Sequence, residues 1–129
     1  MLNYLKEQGC PNEHNFLALQ DSIFINGQLL ILTELLQEDI YAKFITRKKR
    51  MSLGQLQRMC RDVLQCLSFL KSRGVVHSDI KPENIAVSGD GFKVIDFGSA
   101  FFIDEASPKE LQSLPYRSPE VILQSPVDF

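Results

Sequence analysis

Residues 77 to 98 carry the side chains whose types and spacing could do chemistry. They include two carboxylates, an ammonium group and an amide: Asp79, Asp96, Lys81 and Asn84. Carboxylate and amide oxygens suit Mg²⁺, which keeps several waters and takes one or two protein oxygens together with substrate phosphates. A carboxylate, an ammonium group and two metal ligands that converge on one point are the groups needed to transfer a phosphoryl group.

The element that must position these groups reads as a β-hairpin. Residues 85–87 and 92–95 are apolar runs on either side of a turn with the sequence SGDG, in which glycine tolerates a positive φ. If the strands pair symmetrically about this turn, Asn84 and Asp96 emerge side by side at the open end. The other two groups lie on the loop that leads to the same end.

Taken singly, each of these residues is better explained by turn chemistry or by a solvated surface charge. Their order is more specific. His-x-Asp-x-Lys-Pro-x-Asn at residues 77–84, followed by Asp-Phe-Gly at 96–98, resembles the catalytic loop and the metal-binding loop of eukaryotic protein kinases. Residues 118–120 (SPE) are similar to the Ala-Pro-Glu motif of the same family. Three motifs in the expected order make a chance match improbable.

The resemblance implies an α+β, protein-kinase-like fold, present in part, with antiparallel strands before a helical region. The whole chain, residues 1–129, is similar to the middle of a kinase catalytic domain. Residues 1–33 match the end of the small lobe, residues 34–36 the hinge, and residues 37–129 the N-terminal part of the large lobe.

The resemblance also assigns the catalytic roles. Asp79 would orient the substrate hydroxyl and accept its proton, and Lys81 would steady the γ-phosphate of ATP. Asn84 and Asp96 would hold Mg²⁺. His77 is expected to be a structural imidazole and not a base, and the plain interpretation of a lone histidine agrees.

An adenine pocket and an activation loop follow from the same match. Thr33 would guard the back of the pocket, Ala86 would form its floor, and the hinge backbone would bind adenine at Glu34, Leu35 and Leu36. The activation-loop residues that match the family are Phe97, Gly98, Arg117 and Glu120, with Glu110 at the position of a regulatory tyrosine. Phe97 would pack under the regulatory helix, of which residues 1–8 are the end.

Several segments resemble the dual-specificity tyrosine-regulated kinases and the related homeodomain-interacting protein kinases. They are residues 33–36 (TELL), 39–41 (DIY), 63–67 (VLQCL), 96–100 (DFGSA), 111–113 (LQS) and 116–120 (YRSPE), with a small residue at 78 in place of the usual arginine. This branch phosphorylates serine or threonine in protein substrates, often ahead of proline. Either Glu110 replaces a phosphotyrosine by pairing with Arg117, or the chain lacks that switch, and we favour the second.

Other kinase motifs are not found in the sequence. There is no glycine-rich phosphate loop, no strand lysine and no partner glutamate, so we expect the 129-residue chain alone to have little or no phosphotransfer activity. Two functions stay open: a segment of an active serine/threonine kinase, or a degenerate remnant that binds or regulates a partner. A small-molecule phosphotransferase is disfavoured by the Asp-Phe-Gly and Ser-Pro-Glu motifs together.

Composition indicates an ordinary globular protein. The chain is 44% hydrophobic and 23% charged, with a formal net charge of −2, which gives no reason to expect nucleic acid or membrane as a partner. The basic run at residues 47–50 is read as a solvated helix end. Cys10, Cys60 and Cys66 are expected to be buried or half-buried thiols, which places the protein in the cytoplasm or nucleus. Composition does not predict the oligomeric state.

Periodicity predicts the remaining elements. Helices are expected at residues 1–8, 39–45 and 119–123, strands at 16–25, 29–33 and 75–76, and an irregular, mobile loop between Gly98 and Pro119. The longest helix should begin after Ser52, because Ser52 and Gln55 form a capping-box pattern. Its apolar stripe is predicted to be a core face and consists of Leu53, Leu56, Met59, Cys60, Val63, Leu64, Leu67 and Leu70.

Overall fold

The computed structural model describes residues 1–9, 11–105 and 111–125. Its helices are α1 (Leu2–Gln8), α2 (Leu53–Ser72) and α3 (Pro119–Ile122). Its strands are β1 (Leu19–Ile25), β2 (Gln28–Thr33), β3 (Val75–Val76), β4 (Ile85–Ser88), β5 (Gly91–Val94) and β6 (Phe101–Phe102). The strands form three antiparallel pairs, β1 with β2, β3 with β6 and β4 with β5. The α+β class with antiparallel strands is confirmed.

The first hairpin joins β1 to β2 through Asn26 and Gly27. Both residues have positive φ, 51° and 79°, as a tight two-residue turn requires. The strands pair from Ile25 opposite Gln28 to Leu19 opposite Thr33. The hairpin is therefore confirmed, although its first strand begins at Leu19, three residues after the predicted start.

Helix α2 begins as its sequence predicts. The Ser52 hydroxyl accepts a hydrogen bond from the Gln55 backbone at 3.2 Å, and the Gln55 side chain accepts one from the Ser52 backbone at 3.0 Å. These reciprocal bonds satisfy two backbone N–H groups that the first helical turn would otherwise leave unpaired.

The predicted core face of α2 is only partly correct. The residues that the helix buries are Asp62, Cys66, Phe69 and Leu70, whereas Leu53 and Leu64 are 70% and 63% exposed. A helix buries only the part of its apolar stripe that meets another element, and α2 meets β5 and β3. Part of the remaining stripe, including Leu64, lines an open cavity of about 630 Å³ that residues of α3 also line.

The cysteine prediction is half right. Cys66 is buried in the core, but Cys60 is exposed because it lies on the solvent side of α2. Cys10 lies outside the described residues.

One apolar cluster joins the N-terminal helix to the region around residue 97. Leu5 of α1 is fully buried in it, and fully burying such a side chain stabilises a fold by about 1.5–3 kcal/mol. The buried members are Leu5, Phe16, Cys66, Phe69, Leu70, Val75, Val94 and Phe97. A second apolar cluster is formed by the hairpin of β4 and β5 together with Ile40, and its buried members are Ile40, Ile85, Val87 and Phe92.

The hairpin of β4 and β5 is confirmed, and its strands pair symmetrically about the turn. Ile85 pairs with Val94, and Ser88 pairs with Gly91, which leaves a two-residue turn. This register places Asn84 opposite Ile95, whose N–H donates to the Asn84 carbonyl at 2.9 Å. Asn84 and Asp96 are therefore offset by one residue at the open end of the hairpin.

The predicted loop between Gly98 and Pro119 contains regular structure. Strand β6 pairs with β3, Val76 opposite Phe101 and Val75 opposite Phe102, and a 3₁₀ turn spans Leu114–Tyr116. The prediction missed β6 because two residues are too few to show an alternation. Residues 106–110 lie outside the described residues.

Two other helix predictions fare differently. Helix α3 is confirmed at Pro119–Ile122. The helix expected at residues 39–45 is a π-helix over Tyr41–Thr46, preceded by a hydrogen bond from the Ala42 N–H to the Asp39 carboxylate at 2.7 Å. In the part of the chain that is described, no helix combines the length and apolarity needed to cross a membrane.

Candidate active site

The Asp79 carboxylate is the centre of a hydrogen-bonded cluster. Its Oδ2 lies 2.7 Å from Lys81 Nζ and accepts from Asn84 Nδ2 at 3.1 Å. Its Oδ1 accepts from the Ser113 hydroxyl at 2.8 Å and from the Ser113 N–H at 3.1 Å. Lys81 Nζ also donates to the Ser113 hydroxyl at 2.8 Å. The structure therefore brings together three of the predicted residues and adds Ser113, which the sequence interpretation missed.

The charges in this cluster stabilise one another. Desolvation by burial alone would raise the pKa of Asp79, but the hydrogen bonds from Lys81 and Ser113 outweigh it, and the pKa lies below its ordinary value. The hydrogen bond to Asp79 raises the pKa of Lys81, with desolvation opposing. At neutral pH the site therefore holds an ionised carboxylate, able to accept a hydrogen bond or a proton, beside a cation.

The loop that carries Asp79 is fixed by His77. The Asp79 N–H donates to His77 Nδ1 at 3.3 Å, and His77 Nε2 lies 3.1 Å from the Ile95 carbonyl. Both contacts are satisfied by a neutral ring with its proton on Nε2. Desolvation by burial lowers the pKa of His77, and this outweighs the opposing effect of the Ile95 carbonyl. These are the contacts expected of a structural imidazole.

Ser78 connects three segments of the site. It has a φ of 63°, its hydroxyl donates to the Ser99 carbonyl at 2.7 Å, and its carbonyl accepts from the Gln112 N–H at 3.1 Å. The sequence interpretation noted only that a small residue stands here. Its contacts show that the small residue joins the loop that carries Asp79 to the segments around residues 99 and 112.

Asp96 and Phe97 point in different directions. Asp96 is exposed, has a φ of 60°, and its Oδ1 accepts from the Gly98 N–H at 3.2 Å. Phe97 is buried in the same cluster as Leu5 of α1, and its ring makes a T-shaped contact with Phe16 at a centroid distance of 6.2 Å. The packing of Phe97 against the N-terminal helix agrees with the prediction.

The proposed adenine pocket lies around the end of β2. Thr33 lines a cavity of about 470 Å³ together with Asp96 and Gly98, and the Thr33 hydroxyl donates to the Glu34 carbonyl at 3.2 Å. Leu35 is 99% exposed, and Leu36 is half-buried.

The chain after residue 36 returns along β4. The Gln37 N–H donates to the Val87 carbonyl at 3.0 Å, and the Val87 N–H donates to Glu38 at 3.2 Å. Ala86 is buried between this segment and β5, with Asp39 and Lys93 as its strand partners. The segment that directly follows the expected hinge therefore pairs with the strand that contains Ala86.

The structure describes Arg117 and Glu120 of the predicted activation loop. The Arg117 guanidinium donates to the Gln112 carbonyl at 3.0 and 3.3 Å. Glu120 is exposed on α3. Glu110 lies outside the described residues, so both alternatives, a pairing of Glu110 with Arg117 and the favoured absence of that switch, stay predictions.

A second group missed in the sequence is Lys93. It is buried in β5, and its ammonium contacts both Glu34 and Asn12 at 2.6 Å. The sequence did offer a signal, because Lys93 is a single lysine inside an otherwise apolar strand. A cation buried in such a strand requires charged or polar partners.

The oxygen ligands present fit Mg²⁺. Asn84 Nδ2 donates to the carbonyl and carboxylate of Asp79, which leaves Oδ1 of Asn84 as an acceptor. Asp96 would contribute a second hard oxygen ligand. Within residues 1–9, 11–105 and 111–125, no group of three His, Cys, Asp or Glu side chains is suited to a metal ion. A cation here would take its other ligands from water and phosphate, as Mg²⁺ typically does.

Comparison with known proteins decides the family. The model of the protein kinase domain matches residues 4–128. The chain belongs to the protein kinase domain family. A solved kinase domain superposes on this kinase chain with a TM-score of 0.84 at 23% sequence identity, covering 95% of this chain and 43% of that one. The protein-kinase-like fold, present in part, is confirmed.

Several relatives of this kinase chain carry names from the predicted branch. It is 34% identical to dual specificity tyrosine-phosphorylation-regulated kinase 2 of Drosophila melanogaster, over 95% of this chain and 18% of that protein. It is also 34% identical to dual specificity tyrosine-phosphorylation-regulated kinase 4 of Homo sapiens, over 99% of this chain and 25% of that protein. Cyclin-dependent kinase F-4 of Oryza sativa is 33% identical to this chain, over 90% of this chain and 26% of that protein. The kinase chain thus spans about a fifth to a quarter of these relatives, and the predicted resemblance is confirmed.

Proposed function

We propose that the polypeptide containing this chain transfers the γ-phosphate of ATP to a serine or threonine hydroxyl of a protein substrate. The observation that carries the proposal is the Asp79 carboxylate, which is held by Lys81 and Asn84 and accepts a hydrogen bond from the Ser113 hydroxyl at 2.8 Å. An ionised carboxylate that already binds one hydroxyl has the chemistry to orient a second.

Each residue of the cluster has a separate task. Asp79 orients the attacking hydroxyl and accepts its proton as the bond to phosphorus forms and the bond to the ADP oxygen breaks. Lys81, whose raised pKa keeps it charged, lies beside this carboxylate and offsets the negative charge of the phosphoryl group.

Asn84 and Asp96 would hold Mg²⁺, which supplies charge neutralisation at the phosphates. The Asn84 amide is oriented by its two bonds to Asp79, so its oxygen is directed independently of the cation. Thr33, Ala86 and the backbone of residues 34–36 would bind adenine. Support comes from the segment that follows β2, in which Asp39 pairs with the buried Ala86 of β4.

The finer specificity is also part of the proposal. Relatives are named dual specificity kinases, and we extend to this chain the capacity to phosphorylate tyrosine as well. A preference for proline after the target residue would rest on Arg117, whose guanidinium is fixed by the Gln112 carbonyl. A peptide array that varies only the residue after the target serine tests this, and equal labelling of proline and alanine peptides would contradict it.

The main test is Asp79→Asn in the natural polypeptide that contains this chain. Removing the base should lower kcat by about 100-fold or more, since general bases typically contribute 10²–10⁴-fold. ATP affinity, measured by isothermal titration, should change little. The matched control is Asp90→Asn, which alters an exposed carboxylate in the turn between β4 and β5. Full activity in the Asp79→Asn variant would overturn the proposal.

We place the protein in the cytoplasm or the nucleus. The free thiols of Cys60 and Cys66 support a reducing compartment. Imaging of the tagged natural polypeptide in living cells tests this, and a signal in the secretory pathway would contradict it.

A further inference from the structure

Lys93 is a buried cation in an apolar strand. Only 6% of the residue is exposed, and its neighbours Phe92 and Val94 are buried as well. Its ammonium lies 2.6 Å from Glu34 Oε1 and 2.6 Å from Asn12 Oδ1. Because an unpaired buried charge is strongly unfavourable, these two oxygens are required by the position of Lys93.

Glu34 is held at several atoms at once. Its Oε1, besides contacting Lys93, accepts from the Ala18 N–H at 2.7 Å. Its backbone N–H donates to the Ala18 carbonyl at 3.0 Å, and its carbonyl accepts from Thr33. The first residue of the segment that would bind adenine is therefore fixed through both its side chain and its backbone.

Lys93 also lies beside other parts of the nucleotide site. It is directly opposite Ala86 in the pairing of β4 with β5, and such partners place their side chains on the same face of a hairpin. Asp96 follows three residues later along the same chain segment. Lys93 thus contacts Glu34 through its ammonium, pairs with Ala86 along the strand and lies three residues before Asp96.

We propose that Lys93 is a positioning residue for nucleotide binding, which fixes Glu34 so that the backbone of residues 34–36 is preorganised for adenine. The inference rests on the proposed function. Without the ammonium, the Glu34 carboxylate loses its counter-charge in a half-buried position and turns toward water. The backbone must then be ordered when the nucleotide binds, and that ordering lowers affinity.

The test compares Lys93→Met with Lys49→Met, a matched change at an exposed lysine, in the natural polypeptide. The dissociation constant for adenosine is measured by titration, because adenosine has no phosphate and reports on the adenine pocket. Lys93→Met should weaken adenosine binding roughly tenfold, a typical coupling between two sites, and Lys49→Met should not change it. The KM for ATP should rise by a similar factor while kcat changes little.

A purely structural role of Lys93 would lower the stability of the protein without changing its affinity for adenosine. If the folded Lys93→Met protein is less stable but binds adenosine as tightly as the unsubstituted protein, the inference is overturned. If Lys93→Met does not fold, Glu34→Gln removes the charge and keeps an oxygen for the Ala18 N–H. That variant should also weaken adenosine binding and speed hydrogen exchange at residues 34–36, and unchanged values would overturn the inference.

The two proposals fail in distinguishable ways. If the unsubstituted polypeptide binds no adenosine or ATP, the proposed function fails and the positioning role of Lys93 fails with it. If the unsubstituted polypeptide binds both while the Lys93 and Glu34 variants bind them equally well, only the positioning role fails.

Discussion

The Ser113 hydroxyl donates a hydrogen bond to the Asp79 carboxylate at 2.8 Å, across 34 residues of sequence. The same hydroxyl accepts from Lys81 at 2.8 Å, and the Ser113 N–H donates to the same Asp79 oxygen at 3.1 Å. Three contacts thus tie the segment before α3 to the loop that carries Asp79 and Lys81. The position of the carboxylate therefore depends on a residue far from it in sequence.

Replacing Ser113 should reduce turnover more than substrate binding. Ser113→Ala removes the contact that orients Asp79 and Lys81 relative to each other, and misplacement of a catalytic group by about 1 Å can lower rates about 100-fold. We expect a fall in kcat of about 10- to 100-fold for the natural polypeptide, measured by phosphate transfer to a peptide. Ser113→Thr retains the hydroxyl and should keep most of the activity. Equal activity of the alanine and threonine variants would contradict the assignment.

Stability should depend on pH through His77. Burial lowers the pKa of His77 from its ordinary value of 6.5. The nearby carboxylates of Asp79 and Asp96 act to raise this pKa, and the Lys81 ammonium acts to lower it. The unfolded chain then binds the proton first, so stability is full above about pH 6.5 and declines as the pH falls below it, until the folded pKa is passed.

Urea unfolding between pH 7.5 and pH 5 measures this dependence. His77→Asn should remove most of the decline, whereas His14→Asn should retain it. A decline of equal size in both variants would show that another group is responsible.

Asp62 should stabilise the contact between α2 and β5. Its buried carboxylate accepts a hydrogen bond from the Phe92 N–H at 2.9 Å. Asp62→Ala leaves that N–H unpaired, which costs about 1–3 kcal/mol in the free energy of unfolding. The exposed Asp90→Ala should change it by no more than about 0.5 kcal/mol. Denaturant unfolding of both variants tests the difference, and equal values would argue against the contact.

The two described cysteines should differ in reactivity. Desolvation by burial raises the pKa of Cys66 to about 12, so almost no thiolate forms at neutral pH. Cys60 is exposed on α2. Iodoacetamide at pH 7.5 should label Cys60 and leave Cys66 unmodified until urea is added, as read by peptide mass spectrometry. Rapid labelling of Cys66 in the folded protein would contradict the burial of its side chain.

Short-range patterns predicted much of the local structure. The turn at Asn26-Gly27, the capping box of Ser52 and the hairpin of β4 and β5 depend on residues within a few positions of one another. Predictions failed where the partner was distant. The exposed Leu64 and the missed strand β6 depend on which element packs or pairs opposite, and local periodicity does not contain that information.

The sequence by itself determined the chemical types at the site and the order of the kinase motifs, because both are properties of the linear chain. Only the tertiary structure decided that the Asn84 amide orients toward the Asp79 carboxylate, since that hydrogen bond depends on the path of the loop from residue 79 to residue 84. It also decided that Lys93 meets Glu34 and Asn12, which lie 59 and 81 residues away. Contacts at such separations arise when packed elements bring a buried charge to its partners, and no spacing rule encodes them.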